Sequence, residues 1–253
     1  GPHGQQHWPQ EHPECGGRSQ SPIDIPTERA QPDPSLPPVQ PVGYQHPETE
    51  TFTLANNGHT AVLALPASLR LRGFPCGLAA AQLHFHWGRP GHSRGAEHLL
   101  DGHRAPAEVR GTPSPGGNPR GTCSGNGEWG GDGGAAEIMG WGMGPGGPQN
   151  VPLIPVSPPP TGQTTVIPAF SIRELLPDRL DLFYRYNGSL TTPPCFQGVL
   201  WTLFQQPVHI SQDQLEQLQG SLYSTEAAES DPKLLVDNFR EPQELNQRLV
   251  LVS

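Results

Sequence analysis

The chain has 253 residues, enough for one large β-rich domain, and its 33% hydrophobic content with 31 Gly and 32 Pro means few core formers and many loop formers. A formal net charge of -9 argues against nucleic-acid binding through a basic surface and against attraction to anionic lipid headgroups. No run of about 18 apolar residues occurs and no charged, apolar leader opens the chain at Gly1-Pro2-His3, so a soluble piece without a transmembrane helix is expected.

The four cysteines, Cys15, Cys76, Cys123 and Cys195, form no CxxC unit, which speaks against a zinc ribbon. One bridge is open if the protein is exported, free buried thiols are the other option, and spacing alone pairs none of them.

From Gly1 to about Val109 the sequence reads as short extended pieces punctuated by Pro and Gly. Strands are predicted at Thr51 to Leu54, Thr60 to Leu65, Ser68 to Arg72 and Ala81 to Trp87, with a tight turn at Asn57-Gly58. Within the last strand, Gln82-Leu83-His84-Phe85-His86-Trp87-Gly88 alternates polar and apolar residues. Side chains at i and i+2 leave one face of a strand, so His84 and His86 can reach a single ion while Leu83, Phe85 and Trp87 pack behind them.

From about Arg110 to Pro160 roughly half of the residues are Gly or Pro, against an average near ~12%. Clusters such as Gly130-Gly131-Asp132-Gly133-Gly134 and Pro158-Pro159-Pro160 lead to the expectation of a disordered loop with neither helix nor central strand. Order returns at Thr164. A helical turn at Ile172 to Leu176 follows a potential Ser171 cap, and strands are predicted at Leu182 to Tyr186 and Val199 to Phe204. Ser211-Gln212-Asp213-Gln214 is a capping box, with Leu215, Leu218 and Leu222 at helical spacing behind it. Arg248 to Val252 reads as a last strand.

Five separated motifs occur together: Gln20 to Ile25, Asn56 to Thr60, Gln82 to Gly88, Glu97-His98 and Tyr186 to Cys195. In this order they resemble the α-class carbonic anhydrases, over about residues 1 to 109 and 163 to 253. The resemblance implies a mainly β (α+β) domain spanning 1–253, interrupted at about 110–162. It further implies a ten-stranded, twisted, mostly antiparallel central sheet with peripheral helices. The reaction implied is reversible hydration of carbon dioxide to bicarbonate and a proton, with Zn2+ as cofactor at the base of a cone-shaped cleft. Three neutral imidazoles would leave one tetrahedral position open, where zinc lowers the pKa of bound water to about 7.

By the same resemblance, His84 and His86 are zinc ligands and Gln82 orients His84. Thr191 and Glu97 orient the reacting oxygen, and His59 shuttles the proton, which suits an imidazole titrating near working pH. Thr191, Thr192, Leu190 and Trp201 line the substrate pocket, while Cys15 and Cys195 form the disulfide of the extracellular members. A cell-surface ectodomain follows from that pairing.

The pattern breaks at one ligand. Where the family continues Ala-Glu-Leu-His, this chain has Ala107-Glu108-Val109-Arg110. A guanidinium stays protonated and has no lone pair for zinc. Glu108, the partner of the missing histidine, is expected to pair with Arg110 instead. His92, His98, His103 and Cys123 are the candidate substitutes, with His98 expected to be buried and structural and His92 and His103 in loops. A sharp change of composition at both ends of the central segment also fits a mis-spliced product or an acatalytic carbonic-anhydrase-related binding module.

Overall fold

The computed structural model describes residues 4–75, 77–115, 136–141 and 159–253. The strands used below are β1 (Thr51–Asn56), β2 (Ala61–Ala64), β3 (Leu78–Trp87), β4 (Ala107–Pro115), β5 (Ala136–Trp141), β6 (Thr164–Pro168), β7 (Phe183–Ser189), β8 (Gln197–Phe204) and β9 (Leu251–Val252). Among the described residues they join one twelve-stranded sheet in the order β6-β1-β2-β3-β4-β5-β8-β7-β9, closed at one edge by Gln31–Pro32. Neighbours are antiparallel except β5 with β8 and β9 with Gln31–Pro32. The fold class is therefore mostly β with few helices, as expected. The count exceeds ten because short strands at Gln31–Pro32, Gln40–Val42 and Arg70–Arg72 attach at the margins.

Local sequence accounts for most of these elements. β1 buries every second side chain, and Phe52 and Leu54 face the core. Asn57 and Gly58 turn the chain into β2: the Asn57 amide donates to the Thr60 carbonyl at 3.3 Å, and Gly58 has φ 82°, where a side chain is strained. Helix α1 (Gln212–Ser221) has the expected capping box. Ser211 Oγ accepts from the Gln214 amide at 3.1 Å, and Gln214 Oε1 accepts from the Ser211 amide at 3.0 Å. Leu215, Leu218 and Leu222 pack into the core as their spacing requires.

Three expectations are corrected. Ser171 does not cap the following turn, which is a 3-10 helix at Ile172–Leu175 anchored instead by burial of Ile172 and Leu175. The terminal strand is shorter than predicted, limited to Leu251 and Val252, because only these two pair with β7. The central segment does supply sheet: β4 runs on to Pro115, and β5 inserts between β4 and β8. Ala136 to Trp141 is a Pro-free run with a single Gly, so ladder partners on both sides outweigh the composition around it. The disorder expected over 116–135 and 142–158 lies outside the described residues, as do Cys76 and Cys123.

β3 is central and is buried on both faces rather than one, with Leu83, Phe85, Trp87 and also His86 inside. Its register places His84 opposite Val62 of β2 and Arg110 of β4, and His86 opposite Glu108. A large apolar cluster including Leu54, Leu63, Phe85, Val109 and Phe183 packs against this strand. A second cluster of Ile23, Ile25, Tyr186, Val199, Trp201 and Leu203 supports β7 and β8.

Candidate metal centre

The imidazoles of His84 and His86 leave the same face of β3, with ring centroids 5.5 Å apart. Across the ladder, β4 carries Arg110 onto that face. The Arg110 side chain is 3% exposed, and its Nη1 donates to His86 Nε2 at 3.2 Å, to Thr191 Oγ1 at 2.6 Å and to Glu97 Oε2. The guanidinium carbon lies 4.5 Å from the centroid of the Trp201 ring, a cation–π contact. One cation thus gathers an imidazole, a carboxylate, a hydroxyl and an indole.

The surrounding groups are held by backbone. His86 Nδ1 lies 2.6 Å from the Asn238 carbonyl and must be its donor, which leaves Nε2 as the acceptor facing Arg110. Asn238 also ties β3 to the turn between β1 and β2. Its Nδ2 donates to the carbonyls of His59 and Phe85, both at 3.0 Å, and its Oδ1 accepts from the Trp87 amide at 2.8 Å. Glu97 Oε1 accepts from the Arg240 amide at 2.8 Å, and the Arg240 guanidinium reaches Gln20 Oε1, the Ser21 carbonyl and the Cys15 carbonyl. Cys15 and Cys195 form a disulfide with Cα atoms 4.9 Å apart, bracing the loop that carries Thr191 and Thr192.

Burial and charge set the protonation states. His84 is pushed well below the usual imidazole range by burial, reinforced by the Arg110 charge and His86. His98 is lowered by burial and then by Arg110. Burial opposes ionisation of Glu97, yet the Arg110 charge, with the Arg240 amide and Thr191 hydroxyl, holds its carboxyl below the ordinary range. Glu108 moves the other way, pushed up to about 7 by burial and by the neighbouring Glu97 charge.

A family model for eukaryotic-type carbonic anhydrase matches residues 3–111 and 157–253. Human carbonic anhydrase 12 is 38% identical over 263 residues, covering 100% of this chain and 72% of the relative. Dog carbonic anhydrase 6 is 33% identical, covering 97% of this chain and 76% of the relative, and rabbit carbonic anhydrase 4 is 34% identical, covering 95% and 77%.

The chain belongs to the eukaryotic-type carbonic anhydrase family.

For a carbonic anhydrase, several side chains lie where the motifs lead one to expect and several do not. His84, His86, Glu97 and Thr191 are brought together. His98 is fully buried, with Nε2 2.7 Å from the Tyr186 hydroxyl, and is structural. His92 sits in an exposed loop as expected, whereas His103 opens a two-residue strand, His103–Arg104, and not a loop; both side chains are exposed. His59 is exposed on the Asn57-Gly58 turn. Leu190 is half-buried and packs against the Trp201 cluster, while Thr192 is exposed.

Glu108 does not pair with Arg110. Its Oε2 accepts from the amides of Glu97 and His98 at 2.7 and 2.9 Å, so this carboxylate is spent on the turn and Arg110 takes Glu97. Gln82 does not hold His84, because His84 Nδ1 is buried with no hydrogen-bond partner among the described residues and the Gln82 side chain lines a small cavity with Tyr44, Leu65 and Thr112. Trp201 is fully buried beneath the Arg110 guanidinium, so its ring does not front an open pocket. The sequence reading missed Asn238 and Arg240. Their contacts to His86 and Glu97 run through backbone atoms, which leave no residue-type signature.

Zinc does not fit these residues as they stand. Among the described residues no group of three His, Cys, Asp or Glu could hold a metal ion. The space beside His86 Nε2 is taken by a cationic nitrogen. Among the same residues no helix is long and apolar enough to cross a membrane.

Proposed function

We propose that the site is built for zinc-dependent, reversible hydration of carbon dioxide to bicarbonate and a proton, and that Arg110 stands where the third zinc-binding histidine is required. Family membership supports the reaction class and favours an enzyme scaffold over a binding module. The observation that carries the reading is the convergence of His86, Glu97 and Thr191 on one point, the Arg110 Nη1, with His84 alongside.

In this reading His84 and His86 are two of three metal ligands, and Thr191 with Glu97 forms the polar relay that orients the reacting oxygen. His59, at the solvent edge and tied by its carbonyl to Asn238, carries the proton outward. Leu190 and Thr192 shape the substrate wall, with the buried Trp201 ring packed behind it. Glu108 belongs to the ligand strand's support and Gln82 to the His84 side. The substrate is a small molecule, and the net charge of -9 argues against nucleic-acid binding through a basic surface.

The Cys15 to Cys195 bridge supports an oxidising, extracellular setting. The motif pattern and the 38% identity to human carbonic anhydrase 12 support a likeness to the membrane-bound ectodomains, XII among them. Strands from both ends of the sequence alternate within one sheet, which supports a single domain over 1–253. The test is the Arg110→His chain, refolded with zinc and assayed for carbon dioxide hydration by stopped-flow pH change. Activity that disappears in Arg110→His/His84→Ala is expected. A folded, zinc-loaded Arg110→His chain without activity would refute the reading.

A further inference from the structure

We propose that Arg110 is a resident cation: its guanidinium takes the electrostatic place of a metal ion in this site, so that the chain folds around it metal-free and excludes divalent zinc or cobalt from His84 and His86. This rests on the proposed function only in taking His84 and His86 as the metal-facing pair.

The Arg110 side chain is as enclosed as any core residue, yet its charge is met on several sides. Glu97 supplies the opposite charge, itself fixed through its second oxygen by the Arg240 amide. Thr191 Oγ1 and His86 Nε2 accept its protons, and the Trp201 face covers the carbon of the guanidinium. A buried cation without such partners would be lost to desolvation; with them it is retained. The strand pairing requires no adjustment to bring it there, because Arg110 stands directly opposite His84 in the ladder.

Exclusion of a metal follows from what faces His86 Nε2: the Nδ1–H tautomer presents the nitrogen a metal would use, and Arg110 already holds it. The His86 Nδ1 proton is committed to the Asn238 carbonyl, so the only lone pair available to an ion is on Nε2, and that lone pair accepts from Arg110. A divalent cation entering here must displace a guanidinium hydrogen bond and accept a positive charge a few ångströms away, with no third protein ligand in return among the described residues. Glu97, the carboxylate nearest the pair, lies 3.7 Å from His86 Nε2 and is engaged by the same guanidinium.

The experiment uses the full chain with cobalt(II) as probe, since tetrahedral cobalt absorbs in the visible. Wild type titrated with cobalt should show no tetrahedral bands. Its nitrogen NMR spectrum should show His86 as a neutral Nδ1–H tautomer whose Nε2 is shifted by a hydrogen bond. Arg110→Lys, which keeps a cation, should also refuse cobalt, while Arg110→His should gain on the order of 100-fold in cobalt affinity, one ligand's share of such a site. Stoichiometric bands in wild type that vanish in His84→Ala would overturn the proposal, and so would an Nε2–H tautomer for His86. These wild-type readouts stand even where a variant fails to fold. If wild type behaves as expected but Arg110→His binds cobalt and hydrates no carbon dioxide, the resident cation holds and the proposed function fails.

Discussion

Arg110 and Glu97 form a buried ion pair at the centre of the site, with side chains 3% and 2% exposed. Each is the principal counter-charge of the other, and each is further held by neutral partners, Arg110 by Thr191 and His86 and Glu97 by the Arg240 amide. The pair joins β4 to the turn at Glu97-His98 and to the loop bearing Thr191. In this chain the polar constellation of a carbonic anhydrase site is organised by a side chain.

Removing one member of the pair strands the other. Arg110→Met is expected to cost about 3 to 5 kcal/mol, because Glu97 is left charged in a dry site. Glu97→Gln should cost a similar amount for the converse reason. The double variant Arg110→Met/Glu97→Gln should be less destabilised than the sum of the two. Urea unfolding of all four chains measures this coupling, and strict additivity would show that the pair contributes nothing as a pair.

Stability should carry an opposing pH signature from two carboxyls. Glu108, pushed up to about 7 by burial from an ordinary carboxyl value of 4.5, is favoured neutral in the folded chain. Its contribution is therefore full below pH 4.5 and lost as pH rises through about 7. Glu97 is held low, so its contribution is present above the ordinary carboxyl range and lost as pH falls through its lowered folded value. Glu108→Gln should flatten the fall between pH 4.5 and 7 in denaturant midpoints while leaving the acid limb in place. An unchanged slope in that window would contradict the assignment.

The disulfide should matter more than its position near the N-terminus suggests. It closes a loop across a sequence separation of 180 residues, and its loss typically costs about 2 to 5 kcal/mol. Cys15→Ser/Cys195→Ser should lower the urea midpoint accordingly. Hydrogen exchange should speed up first at the Leu190 and Cys195 amides, which bond within the same loop.

At the far end of the chain, Ser211→Ala removes the oxygen that accepts from the Gln214 amide. A loss of about 0.5 to 2 kcal/mol is expected, measurable by thermal or urea unfolding.

The parts of this molecule written in local pattern were legible. Alternation around His84 and His86 identifies their strand, Asn57-Gly58 the turn between β1 and β2, and Ser211 with Gln214 the helix start. β5 was not legible, because six residues flanked by Gly and Pro become a strand only through partners on β4 and β8 far away in sequence. The arginine was seen as a missing ligand, but its true partner was misread. Glu108 sits two residues away on the same strand, whereas Glu97 reaches Arg110 only because Glu108 folds back onto the amides of Glu97 and His98. Asn238 and Arg240 touch His86 and Glu97 through a carbonyl and an amide, groups every residue possesses.

The most direct test of the account is the zinc content of the natively folded wild-type chain and of Arg110→His, both prepared with excess zinc and weighed by native mass spectrometry. We predict no specifically bound zinc in wild type and one zinc per chain in Arg110→His, lost again when His84 or His86 is replaced by Ala. One zinc per wild-type chain, dependent on His84 and His86, would contradict the account.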